Sequence, residues 1–331
     1  MEAMQYFETH STDPAYNLAF EEYILTHFRQ GNILILWQND NAVIVGRNQN
    51  TAEEIDQQFV NEHHIRVIRR NTGGGAVYHD LGNINYSFIA DANGIDQAAT
   101  QLFLAPVVNA LRGLGMDANF SGRNDILVSG QKISGTAQQL SKGRLLLHGT
   151  LLFDSNPDMI SGALNPDPSK FQSKSVKSVR SRVGNIRQFL PEDMDLGAFR
   201  QYLKAELTGN GAILTNLSEA DLSEIQKLKR EKYDTWDWNY GKSPKYEIQN
   251  KKRWAGGLLD IRMTVSGGKI HNLRIYGDYL ALESVTPLEN ALIGCAFQKD
   301  ALAQTLKSIS LSRHIGAITM DELIRTILGD S

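Results

Sequence analysis

The sequence contains one cysteine, Cys295, among its 331 residues. A single cysteine excludes an intrachain disulfide framework and a cysteine-based zinc site, and this scarcity is typical of proteins from a reducing compartment. No run of about eighteen apolar residues occurs. The first residues, MEAMQYFETHSTDP, lack the basic and apolar regions of a signal peptide. We therefore expect a cytoplasmic protein that does not contact a membrane.

Positive charge is not in excess either. The formal net charge is -3, so the chain lacks the broad positive field that supports sequence-independent binding to nucleic acid. Two familiar phosphate-binding patterns are also absent, namely G-x-x-x-x-G-K-[ST] and a G-x-G-x-x-G that follows a strand. We expect no nucleic-acid partner, and any bound phosphate must be held by another kind of loop.

The overall amino-acid composition is that of a globular protein, and the length allows two structural units. Hydrophobic residues make up 41% of the chain and charged residues 21%, which gives enough apolar material for two cores. The first half holds many short β-branched runs, which predicts an α/β sheet with hairpins and few obligatory crossovers. Residues 165–187 are rich in proline, serine and basic residues, which predicts a loop. We place the domain boundary between residues 1–245 and 246–331.

Three local patterns make specific predictions. The Asp-Pro pair at residues 13–14 is a typical helix start, and the apolar spacing continues this helix to about residue 28. The runs 33–37 and 42–46 are predicted to pair as a hairpin through the polar stretch QNDN. The Gly-Gly pair at residues 267–268 separates two alternating runs, as in a two-residue hairpin turn.

Residues 69–80, RRNTGGGAVYHD, place three glycines behind two arginines. Consecutive glycines leave backbone N–H groups free to converge on an anion, and an arginine fork suits carboxylate or phosphate. The alternative is a tight turn or bulge between two strands. If the strand continues through the arginines, only Arg69 or Arg70 faces the site. His79 and Asp80 likewise point to opposite faces of a strand. We favour an anion site.

A second polar group lies in residues 121–138, SGRNDILVSGQKISGTAQ. Lys132 is on the strand that leaves a short hairpin, and the small residues 134–137 leave space for a flat ligand. A solvated lysine on an edge strand is the alternative. The Asn-Asp pair at 124–125 suits a magnesium site or an ordinary turn. His148 follows an apolar run, where it is either a core histidine or a site residue.

Four stretches together carry a family resemblance. RRNTGGGAVYHDLGNINYSF, GRNDILVSGQKISGTAQ, HGTLLFD and KSVRSRVGNI, in this order and spacing, closely resemble the lipoate-protein ligases of the biotin and lipoate ligase superfamily. YDTWDWNYGKSPKY and the terminal unit match as well. The resemblance implies an α/β (α+β) fold with a mixed, largely antiparallel sheet and helices, plus a smaller C-terminal α/β accessory domain.

The resemblance also implies an activity. Members of this family activate lipoate with ATP, supplied with Mg²⁺, to give lipoyl-AMP and pyrophosphate. They then pass the lipoyl group to a lysine of an apo lipoyl domain. The acceptors implied here are lipoyl domains of 2-oxoacid dehydrogenase complexes or the glycine cleavage H protein. The resemblance leaves open whether octanoate is a second acyl substrate.

The resemblance assigns roles to single residues. Lys132 matches the catalytic lysine that contacts the lipoyl carbonyl and the phosphate, and Arg70 would meet the nucleotide phosphate. The segment that wraps the acyl-phosphate region is Gly73, Gly74, Gly75, Ala76, Val77 and Tyr78. Further candidate contacts are His79, Asn83, Asn124, Asp125, His148, Arg180 and Arg182, with Asp125 as the candidate Mg²⁺ ligand. Candidates for the apolar tunnel, because they lie on predicted neighbouring strands, are Val43, Val45, Ile84 and Phe88.

Two other activities remain open at this point. Octanoyl transferases and lipoyl amidotransferases resemble the same family but use a cysteine nucleophile and no ATP. The sole cysteine, Cys295, lies far from the motifs, which argues against that route. A catalytically silent lipoate-binding protein is the second alternative, and ATP turnover would distinguish it from a ligase.

Overall fold

The structure is a computed structural model that describes residues 4–92, 100–121, 124–164, 183–209, 211–240 and 248–329. In these ranges the chain forms one eight-stranded sheet, two three-stranded sheets and the helices that cover them. The strands are β1 (Gln5–Phe7), β2 (Ile33–Trp37), β3 (Ala42–Val45), β4 (Arg66–Arg69), β5 (Val77–His79), β6 (Asn83–Asp91), β7 (Ala118–Ser121), β8 (Asp125–Val128), β9 (Gln131–Ser141), β10 (Arg144–Leu152), β11 (Ile213–Leu214), β12 (Ile248–Trp254), β13 (Gly257–Ser266) and β14 (Lys269–Gly277).

The helices lie mainly on the faces of these sheets. They are α1 (Pro14–His27), α2 (Thr51–Glu54), α3 (Gln57–Glu62), α4 (Thr100–Gly113), α5 (Pro157–Ala163), α6 (Leu196–Thr208), α7 (Glu219–Leu228), α8 (Trp236–Asn239), α9 (Thr286–Leu292), α10 (Lys299–Leu306), α11 (Leu311–Ile315) and α12 (Met320–Leu328). A 3₁₀ turn at Ile186–Phe189 and a π-helical turn at Lys229–Tyr233 complete the described elements.

The large sheet has the order β11-β1-β2-β6-β10-β9-β8-β7, and the small sheet has the order β4-β3-β5. From β2 to β7 the large sheet is antiparallel, while β1 pairs in parallel with both of its neighbours. One face of the large sheet packs against α4 and α6. The other face shares a core with α1 and the small sheet. The two sheets therefore face each other, and the predicted mixed, largely antiparallel architecture is confirmed.

The first helix begins where the sequence predicts. The Asp13 side chain accepts hydrogen bonds from the backbone N–H groups of Ala15, at 2.9 Å, and Tyr16, at 3.3 Å. Pro14 occupies the first helical position, where its missing N–H costs nothing. The helix is anchored at this end, so the face that carries Leu18, Glu21 and Leu25 is fixed against the sheets.

The predicted hairpin between β2 and β3 is wrong. β2 lies between β1 and β6 in the large sheet, whereas β3 lies between β4 and β5 in the small sheet. Every residue of both strands is buried, so each strand is central in its own sheet and both of its edges are occupied. The β-branched composition predicts the strands but does not identify their partners.

The C-terminal unit has its own core. Strands β12, β13 and β14 form an antiparallel sheet covered by α9, α10 and α12. Gly267 and Gly268 have φ values of 55° and 73°, the left-handed region that a two-residue hairpin turn of this kind requires. The predicted hairpin at this pair is confirmed.

The C-terminal unit contacts the first unit next to the glycine-rich loop. The backbone N–H of Gly74 donates to the carbonyl of Tyr279 at 3.3 Å, and the N–H of Gly277 donates to that of Asn48 at 2.7 Å. A third backbone hydrogen bond runs from Leu140 to Leu282 at 2.8 Å. The segment after β14 therefore forms part of the wall around this loop.

Candidate active site

A cavity of about 340 Å³ lies between the large sheet and the small sheet. The side chains on facing strands alternate, so every second residue of each strand points into it. The residues that line it are Leu18, Trp37, Ile44, Arg70, Gly74, Gly75, Ala76, Val77, His79, Asn85, Asn124, Asp125, Lys132, Gly135, Thr136, Ala137, His148, Gly149, Thr150, Arg253, Asp278 and Leu280. Most of the predicted site residues therefore meet in one place.

The glycine-rich loop is packed too tightly for larger residues. A Cβ atom on Gly73 would lie 2.7 Å from the carbonyl oxygen of Tyr279, and one on Gly46 would lie 1.9 Å from that of Gly74. Gly74 has a φ of 89°, which an L side chain rarely adopts. Close backbone packing therefore accounts for part of the glycine requirement, and the buried Gly74 and half-buried Gly75 line the cavity.

Arg70 holds this loop in shape. Its Nη2 atom lies 2.6 Å from the Gly73 carbonyl and 2.9 Å from the Gly75 carbonyl, and its Nη1 atom donates to Ile44 at 3.0 Å. Its Nε atom donates to the hydroxyl of Thr72 at 2.9 Å. Four of the five guanidinium hydrogens are thus used within the protein. Burial lowers the pKa of Arg70 to about 10, so it is still charged at neutral pH.

The neighbouring Arg69 points away from the cavity. Its guanidinium donates to the carbonyls of Gly46, Arg47 and Gln49 and to the hydroxyl of Thr51. The expectation that only one of the two arginines faces the site is therefore confirmed. Arg69 instead joins β4 to the segment that follows β3.

Lys132 and Asp125 form an ion pair at the opposite wall. The Lys132 Nζ atom lies 2.8 Å from Asp125 Oδ1, and both side chains are about one third exposed. A Cβ atom on Gly135 would lie 2.9 Å from Nζ, so the absence of a side chain there makes room for the lysine. The backbone carbonyl of Lys132 also accepts a hydrogen bond from Gly184 at 2.9 Å. Lys132 is therefore fixed at its backbone and within reach of a ligand at its tip.

Asn124 positions this pair through its turn. Its carbonyl accepts hydrogen bonds from the N–H and the hydroxyl of Thr136 at 2.8 and 3.1 Å, and its side chain donates to the Thr136 carbonyl at 3.0 Å. These bonds tie the start of β8 to β9. The amide of Asn124 is thus used for structure, although the residue also lines the cavity.

His148 connects the glycine loop to α1. Its Nε2 atom lies 2.8 Å from the hydroxyl of Thr72, and its Nδ1 atom lies 2.9 Å from the carboxylate of Glu21. Glu21 also accepts a hydrogen bond from Ser87, whose hydroxyl in turn accepts one from the indole of Trp37. His148 is therefore both a buried structural residue and part of the cavity wall. Glu21 is not among the predicted site residues, and its one signal in the sequence is a glutamate within the apolar stretch LAFEEYIL.

The residues after the loop divide between two faces. Val77 and His79 face the cavity, whereas Tyr78 packs on the outer side of the small sheet and donates its hydroxyl to Asn41 at 3.0 Å. Asn83 lies outside the cavity lining and donates to Asn85 Oδ1 at 3.0 Å. The cavity is lined at this point by Asn85.

The four residues suggested for an apolar tunnel point away from the cavity. Val43 and Val45 lie in the core on the outer side of the small sheet, and Ile84 and Phe88 lie in the core beneath the large sheet. The adjacent residues Ile44 and Asn85, whose side chains point to the other face of each strand, line the cavity instead. The apolar part of its lining includes Leu18, Trp37, Ile44 and Val77.

Three lining residues come from the C-terminal unit, and nothing in the sequence signalled them. Leu280 follows β14, and Arg253 and Asp278 form an ion pair at 3.1 Å. They complete the wall beside Gly74. Arg180 and Arg182, predicted to contact the adenylate, lie outside the described residues.

Within the described ranges, no group of three or more His, Cys, Asp or Glu residues is arranged to hold a metal ion. Asp125 is a single carboxylate, and it already pairs with Lys132. One carboxylate is enough for an ion such as Mg²⁺, whose other ligands are usually substrate phosphates and water. No helix in the described part of the chain is long and apolar enough to cross a membrane.

Comparison with known proteins agrees with this geometry. Residues 13–208 match the lipoyl protein ligase A/B catalytic domain, and residues 243–327 match the bacterial lipoate protein ligase C-terminus. The lipoate-protein ligase LplJ of Bacillus subtilis is 41% identical over 320 residues, covering 95% of this chain and 97% of that protein.

Solved structures give the same result. P. falciparum LipL1 in complex with lipoate superposes with a TM-score of 0.79 at 25% identity, covering 98% of this chain and 99% of that one. A lipoate-protein ligase A bound with ATP superposes with a TM-score of 0.63 at 30% identity, covering 73% of this chain and 99% of that one.

The paired sheets and the cavity between them define the fold class of the lipoate ligases. Within that class, the chain belongs to the lipoate-protein ligase family, and the predicted resemblance is confirmed. It is therefore a ligase, as the sequence analysis expects.

Proposed function

We propose that this enzyme activates lipoate with ATP and transfers the lipoyl group to a lysine of an apo lipoyl domain. The relatives are lipoate-protein ligases, one solved relative holds lipoate, and another holds ATP. The observation that carries the proposal is the position of Lys132. Its ammonium group lies in the wall of a cavity that is also lined by the glycine loop and by apolar side chains such as Trp37 and Ile44.

In the first step a lipoate oxygen attacks the α-phosphorus of ATP, and the bond to pyrophosphate breaks. Negative charge develops on the α-phosphate oxygens as the bond forms. Lys132 would place its positive charge there and on the acyl carbonyl. Its partner Asp125 is partly exposed, so the ion pair is weak and can be exchanged for contacts with phosphate.

The glycine loop supplies the backbone contacts. Gly73 to Tyr78 would run along the acyl phosphate, with the N–H groups of the exposed part turned to its oxygens. Arg70 contributes by donating hydrogen bonds to the carbonyls of Gly73 and Gly75, which keeps these carbonyls directed at its guanidinium group. A direct contact between Arg70 and the nucleotide phosphate stays a prediction. One guanidinium hydrogen is left to make that contact.

In the second step the acceptor lysine amine attacks the acyl carbonyl carbon, AMP leaves, and the amine loses a proton. The mixed anhydride is already activated, so no protein nucleophile is required. Cys295 lies in the C-terminal unit, 3.3 Å from the hydroxyl of Thr305. This position supports a ligase over a transferase that works through a cysteine thioester.

Further parts of the proposal concern the surroundings of the reaction. Mg²⁺ would arrive with ATP and neutralise phosphate charge, and Asp125 would bind it after releasing Lys132. Arg180 and Arg182 would bind the adenylate. The catalytic domain would comprise residues 1–245 and the accessory domain residues 246–331. The acceptors would be lipoyl domains of 2-oxoacid dehydrogenases or glycine cleavage H protein, in the cytoplasm.

The experiment incubates purified enzyme with Mg-ATP and lipoate and identifies lipoyl-AMP by mass spectrometry. An apo lipoyl domain or apo H protein is then added, together with versions in which the acceptor lysine is replaced by arginine. We expect lipoyl-AMP to disappear and the mass of the native acceptor to rise by one lipoyl group. Transfer of the lipoyl group without ATP would contradict the proposal. Consumption of lipoate without an acceptor and without formation of lipoyl-AMP would also contradict it.

A further inference from the structure

A chain of buried amides fixes the orientation of His79. The Nδ2 atom of Asn17 lies 3.0 Å from the carbonyl of Ser11 and 2.7 Å from that of Gln38. Carbonyl oxygens only accept, so this end of Asn17 must be the NH₂ group. The same group lies 3.0 Å from the side-chain amide of Asn39. Two NH₂ groups would repel each other at this distance, so this end of Asn39 is the oxygen, Oδ1. The NH₂ group of Asn39 therefore donates to His79 Nδ1, 3.0 Å away.

This orientation determines the tautomer of His79. Because Nδ1 accepts a hydrogen bond, the ring proton of neutral His79 lies on Nε2. Burial, with further contributions from Arg70 and His148, lowers the pKa of His79 to about 3, so the ring is neutral at physiological pH. The residue is 4% exposed, and Nε2 has no hydrogen-bond partner among the described residues. His79 thus lines the cavity and carries a buried donor, the Nε2–H, that is unused among the described residues.

The register of the large sheet shows which end of the cavity this donor serves. Trp37 is opposite Asn85, Asn85 is opposite Thr150, and the Thr150 hydroxyl accepts from the Gly135 N–H at 3.1 Å. Gly135 in turn is opposite Asp125. Trp37 and Asp125 are therefore four strands apart, on the order of 19 Å at the usual strand spacing.

His79 lies at the Trp37 end of this row. The two rings are 6.5 Å apart, edge to face. Lys132 is at the other end, where it pairs with Asp125. If Lys132 contacts the acyl carbonyl, as in the proposed function, the far end of the acyl chain extends towards Trp37 and His79.

We infer that the Nε2–H of His79 donates to a sulfur of the dithiolane ring, and thereby distinguishes lipoate from a plain fatty acid such as octanoate. The inference depends on the proposed function. A ring sulfur is a weak acceptor and a polarisable neighbour for aromatic rings, so it suits a site made of Trp37 and His79. A saturated chain offers no acceptor and leaves the buried donor unpaired, which costs affinity.

Two substitutions test the donor in different ways. His79→Phe keeps a ring but removes the N–H. Asn39→Asp keeps the shape of Asn39 but places a carboxylate, which only accepts, beside Nδ1. Nδ1 must then carry a proton, and Nε2 becomes an acceptor when the ring is neutral, a state that the ¹⁵N shifts described below report. His271→Phe, on the exposed side of β14, is the matched control. Thermal unfolding first confirms that each variant is folded.

The measurement is the affinity of each protein for lipoate and for octanoate by calorimetry in the absence of ATP. We expect both variants to lower the ratio of lipoate to octanoate affinity by about three- to tenfold, the usual effect of one hydrogen bond. The control keeps the native ratio. Equal weakening of both acids would show a merely structural role and would overturn the inference, as would an unchanged ratio.

A ligand-free readout keeps this test separate from the proposed function. The ¹⁵N chemical shifts of the His79 ring should show the proton on Nε2 in the native protein and on Nδ1 in Asn39→Asp. A native ring protonated on Nδ1 would overturn the inference. The proposed function fails on a different result, namely no adenylate from native enzyme, ATP and lipoate.

Discussion

The Nζ atom of Lys132 lies 2.8 Å from Asp125 Oδ1, in the wall of the cavity that faces the glycine-rich loop. The pair holds the lysine in a defined place, yet both side chains remain about one third exposed. An ion pair of this exposure contributes about 1 kcal/mol or less. Lys132 is therefore positioned before substrate binds and can exchange Asp125 for phosphate oxygens at little cost.

Gly135→Ala should reduce adenylation strongly while leaving the fold intact. The new Cβ atom would lie 2.9 Å from Lys132 Nζ and 3.1 Å from its Cε, so the flexible end of the lysine must move. Displacement of a catalytic group by about 1 Å can cost about 100-fold in rate. The rate of lipoate-dependent pyrophosphate release and the melting temperature would be measured together. Gly211→Ala is the control, because its Cβ would meet nothing closer than 3.8 Å. A Gly135→Ala enzyme of native rate would contradict the role of Lys132.

Arg70→Lys should lower both stability and activity. Lysine cannot reproduce the fork that binds Thr72, Ile44 and the carbonyls of the glycine loop. Loss of such buried contacts should lower the free energy of unfolding by about 3 kcal/mol. Urea titration would measure this change, with the exposed Arg187→Lys as control. Native stability with lost activity would instead favour a direct role of Arg70 at the phosphate.

Cys295→Ser should leave lipoate ligation unchanged. Cys295 lies beside Thr305 in the core region of the C-terminal unit and is absent from the cavity lining. Transfer to an apo lipoyl domain would be followed by mass spectrometry with and without ATP. Loss of transfer in a folded variant would indicate a thioester route.

His79 should make the protein less stable in acid. The unfolded chain binds a proton at this residue near pH 6.5, but the folded chain does so only near pH 3. The unfolded state therefore holds more protons between these values, and stability falls as the pH is lowered through this window. Going from pH 7 to pH 4.5 should cost about 3 kcal/mol from this group alone.

Urea titrations of native protein and His79→Gln at these two pH values would measure the difference. The variant should lose less stability than the native protein over this range. The exposed His271→Gln should behave like the native protein. Identical acid sensitivity in native protein and His79→Gln would show that His79 is not held neutral by the fold.

Local chemistry explains which parts of the fold the sequence predicts. The Asp-Pro helix start at residues 13–14 and the Gly-Gly turn at 267–268 depend only on neighbouring residues, and both are as expected. The partners of β2 and β3 depend on which distant strands occupy their edges. Two buried β-branched runs separated by four residues do not contain that information.

The candidate site shows the same division. The polar motifs around Gly74 and Lys132 carry their own chemical signature, and the fold brings them together. The apolar residues of the lining carry no such signature. A strand that is buried on both faces is apolar at every position, so its sequence does not show which alternate residues face the ligand. The strand pattern therefore predicts Val43 as a lining residue, whereas Ile44 lines the cavity. Leu280 was missed because it is contributed by a segment more than two hundred residues away from the glycine loop.

The most direct test of the account compares native enzyme with Lys132→Ala in a pyrophosphate-release assay containing Mg-ATP and lipoate. Lys227→Ala, an exposed lysine on α7, is the matched control. We expect lipoate-dependent release by native enzyme and control, and a rate about 100- to 1000-fold lower for Lys132→Ala. Release by Lys132→Ala at the native rate would contradict the assignment of Lys132 as the catalytic residue.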